Sequence, residues 1–284
     1  MPQYPDADSE IQSMITKKNR LAYPITAVDI DGTILDSRKE IQTGFKPALE
    51  EYESTGGRLV LVTGRPFPAA MLVYDALELD TPLVCENGSY VLLPSTGEVL
   101  HRSLLDSGTF NQIMRLISLV GAAVFVADNE RILLQGEYKG FRDILRDAGL
   151  EVLEYSSDHR DLAIGKITVL GIEDVLLKLS EKISASRLSA EVNFSGRNSL
   201  DITPVGVNKG SGLQVLSSCL NVPLDQFIVV GDSENDLSMF EHAGQSVAMG
   251  NAEECVLAAA DLVAPGNDEN GAAWVLREIA MSNA

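Results

Sequence analysis

The chain has 284 residues, 45% of them hydrophobic and 22% charged, which is typical of one large or two medium globular domains and excludes a disordered or fibrous protein. Its formal net charge of -19 disfavours nucleic acids as partners, because they bind basic surfaces. No apolar run reaches the roughly 18 residues that a membrane span requires, so we expect no membrane association.

Two features favour a cytoplasmic location. The first 22 residues form an extension to which we assign no function, and they lack the apolar segment of a secretory signal. The three cysteines, Cys85, Cys219 and Cys255, are far apart and have no metal-ligand spacing. They indicate free thiols in a reducing compartment.

Strand-like and helix-like segments alternate at both ends of the chain. Apolar, β-branched runs predict strands at 25–30, 58–63, 81–85, 166–170, 226–230, 245–249 and 261–264. A 3.6-residue apolar period predicts helices at 45–54, 66–79, 209–220, 233–242, 252–259 and 272–280. Buried strands that alternate with helices predict an α/β fold, a mostly parallel, Rossmann-like sheet with helices on both faces.

The middle of the chain has a different pattern. It reads as a hairpin near 89–103, followed by strands and helices in mixed rather than alternating order. We therefore predict that residues 89–198 form an inserted α+β domain. The main domain would then consist of residues 23–88 and 199–284.

An acidic pair, Asp29 and Asp31, follows the first predicted strand and precedes Gly32. In an open parallel sheet, ligands bind at the carboxyl ends of the strands, so the pair lies where chemistry is expected. A calcium-binding loop would place Ala27 and Arg38 at ligand positions, which excludes that interpretation. A turn with helix-capping acids is the alternative that the pair alone leaves open.

Two further strand and helix ends could bind an anion. Thr63 and Gly64 end the second strand, and Arg65 and a proline then begin a helix. Lys209 begins a later helix, where a cation opposes the helix dipole unless it points at a bound phosphate. The alternative for Thr63 and Gly64 is an ordinary strand end. The alternative for Lys209 is a solvated surface lysine.

The segment GDSEND places Asp232 at a strand end and Asn235 and Asp236 on the following turn. Asp236 could simply favour the N-terminus of a helix. Acids from two strand ends are nevertheless too many for capping, and acids that are brought together need a cation. Hard oxygen ligands with open positions indicate Mg²⁺.

In this order, the segments DIDGT, VTGRP, VNKG and GDSEND resemble the four motifs of the haloacid dehalogenase (HAD) superfamily. CENG at 85–88, VAMGNAEE at 247–254 and NDENGAA at 267–273 resemble the Cof-type (IIB) branch of that superfamily. The similarity covers nearly the whole chain after Tyr23. It implies that the insert is an α+β cap of the C2 type.

The resemblance implies a Mg²⁺-dependent phosphatase that acts on a small phosphorylated metabolite such as a sugar phosphate. Asp29 would be the nucleophile, which forms an aspartyl-phosphate, and Asp31 the general acid and base. The metal would be held by the Asp29 carboxylate, the Asp31 carbonyl and Asp232, with Asn235 or Asp236 in support.

The same resemblance implies phosphate-binding or substrate-binding roles for other residues. Thr63 and the Gly64 amide would bind phosphoryl oxygens, and Lys209 would stabilise charge on the phosphate and the nucleophile. Arg65 would reach the phosphate or pair with a core acid. Asn87 would contact substrate or steer the cap junction.

Two cap segments, 156–161 and 195–199, are candidates for contact with the leaving group. Three alternative functions stay open: a related phosphomutase, an enzyme like the sucrose-phosphate phosphatases, and a non-catalytic phosphometabolite sensor. The sequence is consistent with a monomer or a small homo-oligomer.

Overall fold

A computed structural model describes residues 24–128, 131–138, 140–156 and 162–283. The strands in these residues are β1 (Ile25–Val28), β2 (Arg58–Val62), β3 (Leu83–Cys85), β4 (Tyr90–Leu93), β5 (Glu98–Arg102), β6 (Ala123–Asp128), β7 (Arg131–Gln135), β8 (Val152–Glu154), β9 (Ile167–Leu170), β10 (Ala190–Gly196), β11 (Ser199–Pro204), β12 (Phe227–Gly231), β13 (Gln245–Ala248) and β14 (Leu262–Val263). The helices are α1 (Phe45–Ser54), α2 (Phe67–Ala76), α3 (Ser107–Val120), α4 (Phe141–Asp147), α5 (Glu173–Ala185), α6 (Lys209–Leu220), α7 (Leu237–Phe240), α8 (Glu254–Ala259) and α9 (Gly271–Asn283). These elements build two sheets.

The first sheet has the strand order β14-β13-β12-β1-β2-β3-β4-β5. All neighbours from β14 to β3 are parallel, and β4 and β5 extend the sheet in antiparallel fashion. β1 lies between β12 and β2, with Val28 opposite Val230 on one side and Leu61 on the other. The predicted Rossmann-like sheet is confirmed, and its parallel strands end at one common edge.

Helices cover both faces of this sheet because the side chains of its strands alternate. In β2, Leu59 and Leu61 pack with α1, α2 and α9, whereas Val60 and Val62 pack with α6 on the opposite face. All four side chains are fully buried. Strands buried on both faces account for the continuous apolar runs in the sequence.

The second sheet has the strand order β10-β11-β9-β6-β7-β8 and is antiparallel except between β7 and β8. Helices α3 and α5 cover one face, where they pack on residues such as Val126 and Val169. Helix α4 covers only part of the opposite face, around Ile132 and Leu134 of β7. The rest of that face is open to the cleft described below.

The change from one sheet to the other does not coincide with the predicted borders at 88/89 and 198/199. The hairpin of β4 and β5, predicted in the insert, pairs with β3, because the chain reverses through Glu86–Gly88 with three consecutive positive φ angles of 54°, 56° and 95°. The unpredicted strand β11 belongs to the second sheet. We propose domain borders that follow the sheets, after Arg102 and after Pro204.

The structure bears on the predicted absence of a membrane span and on the predicted free thiols. Within the described ranges, no helix combines the length and the apolar character needed to cross a bilayer. All three cysteines are unpaired; Cys85 is buried, and Cys219 and Cys255 are exposed.

The two-sided burial of β2 predicts a large effect of Leu61→Ala. We expect the free energy of unfolding to fall by about 2–5 kcal/mol, because the cavity in a helix-covered strand cannot collapse completely. Urea unfolding followed by circular dichroism measures this change. Leu119→Ala on α3 is the control, since Leu119 is 77% exposed, and it should cost less than about 0.5 kcal/mol. Equal effects of the two substitutions would contradict the described core.

Candidate active site

Three acids from two strand ends meet at the edge of the first sheet. Asp29 follows β1, and its N–H donates to the carbonyl of Val230 in the neighbouring strand at 3.0 Å. Asp232 follows β12, which runs parallel to β1 and ends at the same level. The carboxylates of Asp29, Asp232 and Asp236 place oxygens within 4.8 Å of one another. The parallel register therefore brings together acids that are about 200 residues apart in sequence.

Gly32 allows the turn after β1 to close over Asp232. Its φ angle is +78°, and a Cβ atom there would lie 2.2 Å from Oδ2 of Asp232. The next residue, Thr33, donates its hydroxyl to Oδ1 of Asp232 at 3.0 Å. A glycine is required here both for the backbone conformation and for the close approach of the carboxylate.

Lys209 binds two of the three acids. Its Nζ lies 2.7 Å from Oδ1 of Asp29 and 2.6 Å from Oδ1 of Asp236, and its side chain is only 1% exposed. The side chain of Asn208 caps this helix by accepting the N–H of Ser211 at 2.9 Å. The lysine is therefore not a solvated surface residue, and the two carboxylates offset its unfavourable position at a helix N-terminus.

Asp236 orders the turn that carries Asp232. Its second oxygen, Oδ2, accepts the N–H groups of Asp232 and Ser233, both at 3.0 Å. Both oxygens of Asp236 thus have partners in the protein, whereas Oδ2 of Asp29 has none among the described residues. This difference favours Asp29 over Asp236 as a donor to a cation.

Negative charge exceeds positive charge in this buried cluster. Burial, opposed by Lys209 and reinforced by the neighbouring acids, raises the pKa of Asp29 to about 8. Burial and Asp236 raise the pKa of Asp232 to about 6. Although burial opposes its charge, Lys209 has a pKa above its ordinary value because of Asp236 and Asp29. A divalent cation fits this set of hard oxygen donors, since it would relieve their mutual repulsion.

The carboxylate of Asp31 lies outside this acid cluster and pairs with Arg65. Nε and Nη2 of Arg65 donate to its two oxygens at 2.7 and 2.9 Å, and Lys39 donates at 3.2 Å. Burial opposes ionisation of Asp31, but these two cations lower its pKa to about 2. The structure thus pairs Arg65 with Asp31, and a contact of Arg65 with the phosphate remains a prediction.

Four predicted binding residues lie beside the acids. The hydroxyl of Thr63 accepts the N–H of Arg65 at 3.1 Å. A Cβ on Gly64 would lie 2.8 Å from Oδ1 of Asn87, the same oxygen that accepts the Asn235 amide at 3.2 Å. The Oδ1 atom of Asn235 is buried and has no hydrogen-bond partner among the described residues. These contacts place the four residues together, while their substrate-binding roles remain predictions.

A buried polar network that the sequence did not predict connects Asn87 to the second sheet. Oδ2 of Asp201 accepts from Nδ2 of Asn87 and from Nζ of Lys166, both at 2.9 Å. Oδ1 of Asp201 accepts the hydroxyl of Thr168 at 2.7 Å. These polar residues come from three separate segments and form no sequence motif. Only the alternation of side chains along β9 and β11 could have indicated that Thr168 and Asp201 lie on the same face of the sheet.

A cleft of about 750 Å³ lies between the two sheets and opens onto this site. Its polar lining includes Asp29, Asp31, Thr63, Gly64, Arg65, Lys209 and Asn235 from the predicted set, together with Lys39, Lys166, Thr168 and Asp201. Of the two predicted cap segments, 195–199 lines the cleft through Ser195 and Ser199, whose hydroxyls lie 2.9 Å apart. Residues 157–161 of the other segment lie outside the described residues.

The fold and the site define a Rossmann-like α/β enzyme with a cap and an acidic site at the strand ends. The chain belongs to the haloacid dehalogenase-like hydrolases, whose family model matches residues 26–276. This finding confirms the family that the motifs predicted.

Relatives and solved structures agree with this assignment. Phosphatase YwpJ of Bacillus subtilis is 28% identical over 90% of this chain and 99% of that protein. A phosphoglycolate phosphatase of Haloarcula marismortui is 30% identical over 87% of this chain and 93% of that protein. A haloacid dehalogenase-like hydrolase from Bacteroides thetaiotaomicron has a TM-score of 0.82 and 25% identity, over 90% of this chain and 99% of that one. The predicted enzyme class, a phosphatase, is confirmed.

The buried ion pair of Lys166 and Asp201 predicts strong destabilisation by Asp201→Ala. We expect a loss of about 3–5 kcal/mol in the free energy of unfolding, because Lys166 would be left as an unpaired buried cation. Adding Lys166→Met should recover at least half of that loss in thermal or urea unfolding. A double variant as unstable as Asp201→Ala would show that the unpaired charge is not the cause.

The close approach of Gly32 to Asp232 predicts that Gly32→Ala displaces this carboxylate. We expect the affinity for a divalent cation, measured by isothermal titration calorimetry, to fall by about 10-fold or more. Gly97→Ala is the matched control, since Gly97 has a similar φ of +72° but open space around its Cα. Both variants carry the backbone strain, so equal cation affinities would contradict the proposed displacement.

Proposed function

We propose that this phosphatase hydrolyses the phosphate monoester of a small metabolite with Mg²⁺ and through a phosphorylated Asp29. The observation that carries the proposal is the contact of Lys209 with Oδ1 of Asp29 at 2.7 Å. A buried ammonium group in that place holds the carboxylate in one orientation and faces the charge of an approaching phosphate. The phosphoglycolate phosphatase among the relatives supports a small phosphorylated substrate.

In the first half of the reaction, an oxygen of the Asp29 carboxylate attacks the phosphorus atom. A new oxygen–phosphorus bond forms, the ester bond between phosphorus and the leaving oxygen breaks, and Asp31 donates a proton to that oxygen. Arg65 holds Asp31 in its ionised form, so this proton donation requires that the ion pair opens when substrate binds and that Asp31 first takes up a proton from solvent.

In the second half, Asp31 accepts a proton from a water molecule, which attacks the phosphorus atom of phosphorylated Asp29. Inorganic phosphate leaves, and the Asp29 carboxylate is restored. The ion pair with Arg65 favours this step, because a general base must be ionised before it accepts a proton. The two partners of Asp31 thus support the base role, and the acid role depends on their displacement.

The carboxylates of Asp29 and Asp232 and the carbonyl of Asp31 would hold the metal ion. When bound, Mg²⁺ would supply positive charge that offsets the repulsion between the nucleophile and the phosphate. The protein supplies the remaining positive charge and hydrogen bonds from Lys209, the Thr63 hydroxyl and the Gly64 amide. Thr63 is only 1% exposed, so its hydroxyl is held in a fixed direction.

Asp29→Asn tests the proposed nucleophile. We expect kcat for a phosphate monoester to fall by about 10³-fold or more, because an amide cannot attack phosphorus, while circular dichroism shows a folded protein. An acid-quenched reaction of the unsubstituted enzyme should contain a phosphorylated peptide with Asp29. EDTA should abolish the activity, and Mg²⁺ should restore it.

Asp106→Asn is the control for this substitution. Asp106 caps α3 by accepting the N–H of Thr109, and asparagine is an equally good cap, so activity and stability should persist. Full turnover by Asp29→Asn would exclude the nucleophile. A lack of hydrolysis of sugar, polyol, nucleotide, glycolate and arylalkyl phosphates with Mg²⁺ would instead indicate a non-catalytic phosphometabolite sensor.

A further inference from the structure

The open face of the second sheet changes from polar to apolar across neighbouring strands. Asp201 of β11 lies opposite Thr168 of β9, which lies opposite Phe125 of β6, so the three form one row. At one end, Asp201 accepts hydrogen bonds from the Thr168 hydroxyl and from the Asn87 side-chain amide. At the other end, Phe125 stacks on Phe141 of α4, with ring centroids 5.2 Å apart.

The apolar end of the cleft has two walls with exposed side chains. Helix α2 of the first sheet contributes Leu72, which is 43% exposed, and α4 contributes Ile144, which is 60% exposed. Both residues line the same cleft as Asp29 and Lys209. Large apolar side chains that remain exposed within a catalytic cleft indicate a ligand with an apolar surface.

We propose that the leaving group of the substrate carries an apolar ring that contacts Leu72, Phe141 and Ile144 while its phosphate lies at Asp29. This inference rests on the proposed function and identifies the substrate class of the same site. It differs from the sugar phosphate that the sequence suggested. The hydroxyl groups of a sugar would lose water against this wall, and the apolar side chains offer no hydrogen bonds in return.

A matched pair of phosphonates tests the inference independently of turnover. We expect 3-phenylpropylphosphonate to bind at least about 10-fold more tightly than propylphosphonate in calorimetry with Mg²⁺, because only the former reaches the apolar wall. The corresponding phosphates, together with glycerol 3-phosphate and glucose 6-phosphate, give kcat/KM values. All four leaving groups are primary alcohols, so their intrinsic reactivities are similar.

Ile144→Ser identifies the wall itself. We expect this substitution to reduce the preference for the phenylpropyl compound by about threefold or more, in binding and in kcat/KM. Ile172→Ser is the matched control, since Ile172 has a similar exposure of 63% and does not line the cleft. It should leave the preference and the basal activity unchanged.

Three outcomes would overturn the inference. They are equal affinities for the two phosphonates, a higher kcat/KM for glucose 6-phosphate than for 3-phenylpropyl phosphate, and an Ile144→Ser variant that weakens both members of each pair equally. The last result would mean that Ile144 serves only to close the two walls on each other. Tight binding of 3-phenylpropylphosphonate without hydrolysis of any phosphate would support the apolar site and overturn the proposed function.

Discussion

The contact of buried Lys209 with Asp29 and Asp236 is the interaction on which the rest of the site depends. A cation and three acids in a space of a few ångströms can remain buried only if their charges are paired and hydrogen-bonded. The chain meets this condition with backbone N–H groups from the turn after β12, the Thr33 hydroxyl and the close approach of Gly32. The resulting excess of negative charge makes the site suitable for a divalent cation.

The parallel sheet makes this contact possible. Lys209 and Asp29 are 180 residues apart in sequence, yet each lies at or next to an element end on the same edge of the sheet. The second sheet contributes to the site through one of its two faces. Helices α3 and α5 bury one of its faces, and the part of the other face that α4 leaves uncovered lines the cleft.

The sequence predicted those parts of the fold and site that local pattern determines. Continuous apolar runs identified strands such as β1 and β12, because burial on both faces requires apolar residues at every position. Polar residues directly after those runs identified Asp29, Thr63 and Asp232. The sequence did not predict that the β4–β5 hairpin pairs with β3, because a turn through three positive φ angles, not composition, returns it to that strand.

By itself, the sequence determined the family, the Rossmann-like sheet and the identity of the residues at the strand ends, since each has a local pattern or a motif. Only the tertiary structure decided that Asp31 pairs with Arg65, that Asp201 joins Asn87 to Lys166, and that the cleft ends in an apolar wall. These features arise from contacts between distant segments. Such contacts depend on strand register and on which face of a sheet remains uncovered. No single segment of the sequence determines either feature.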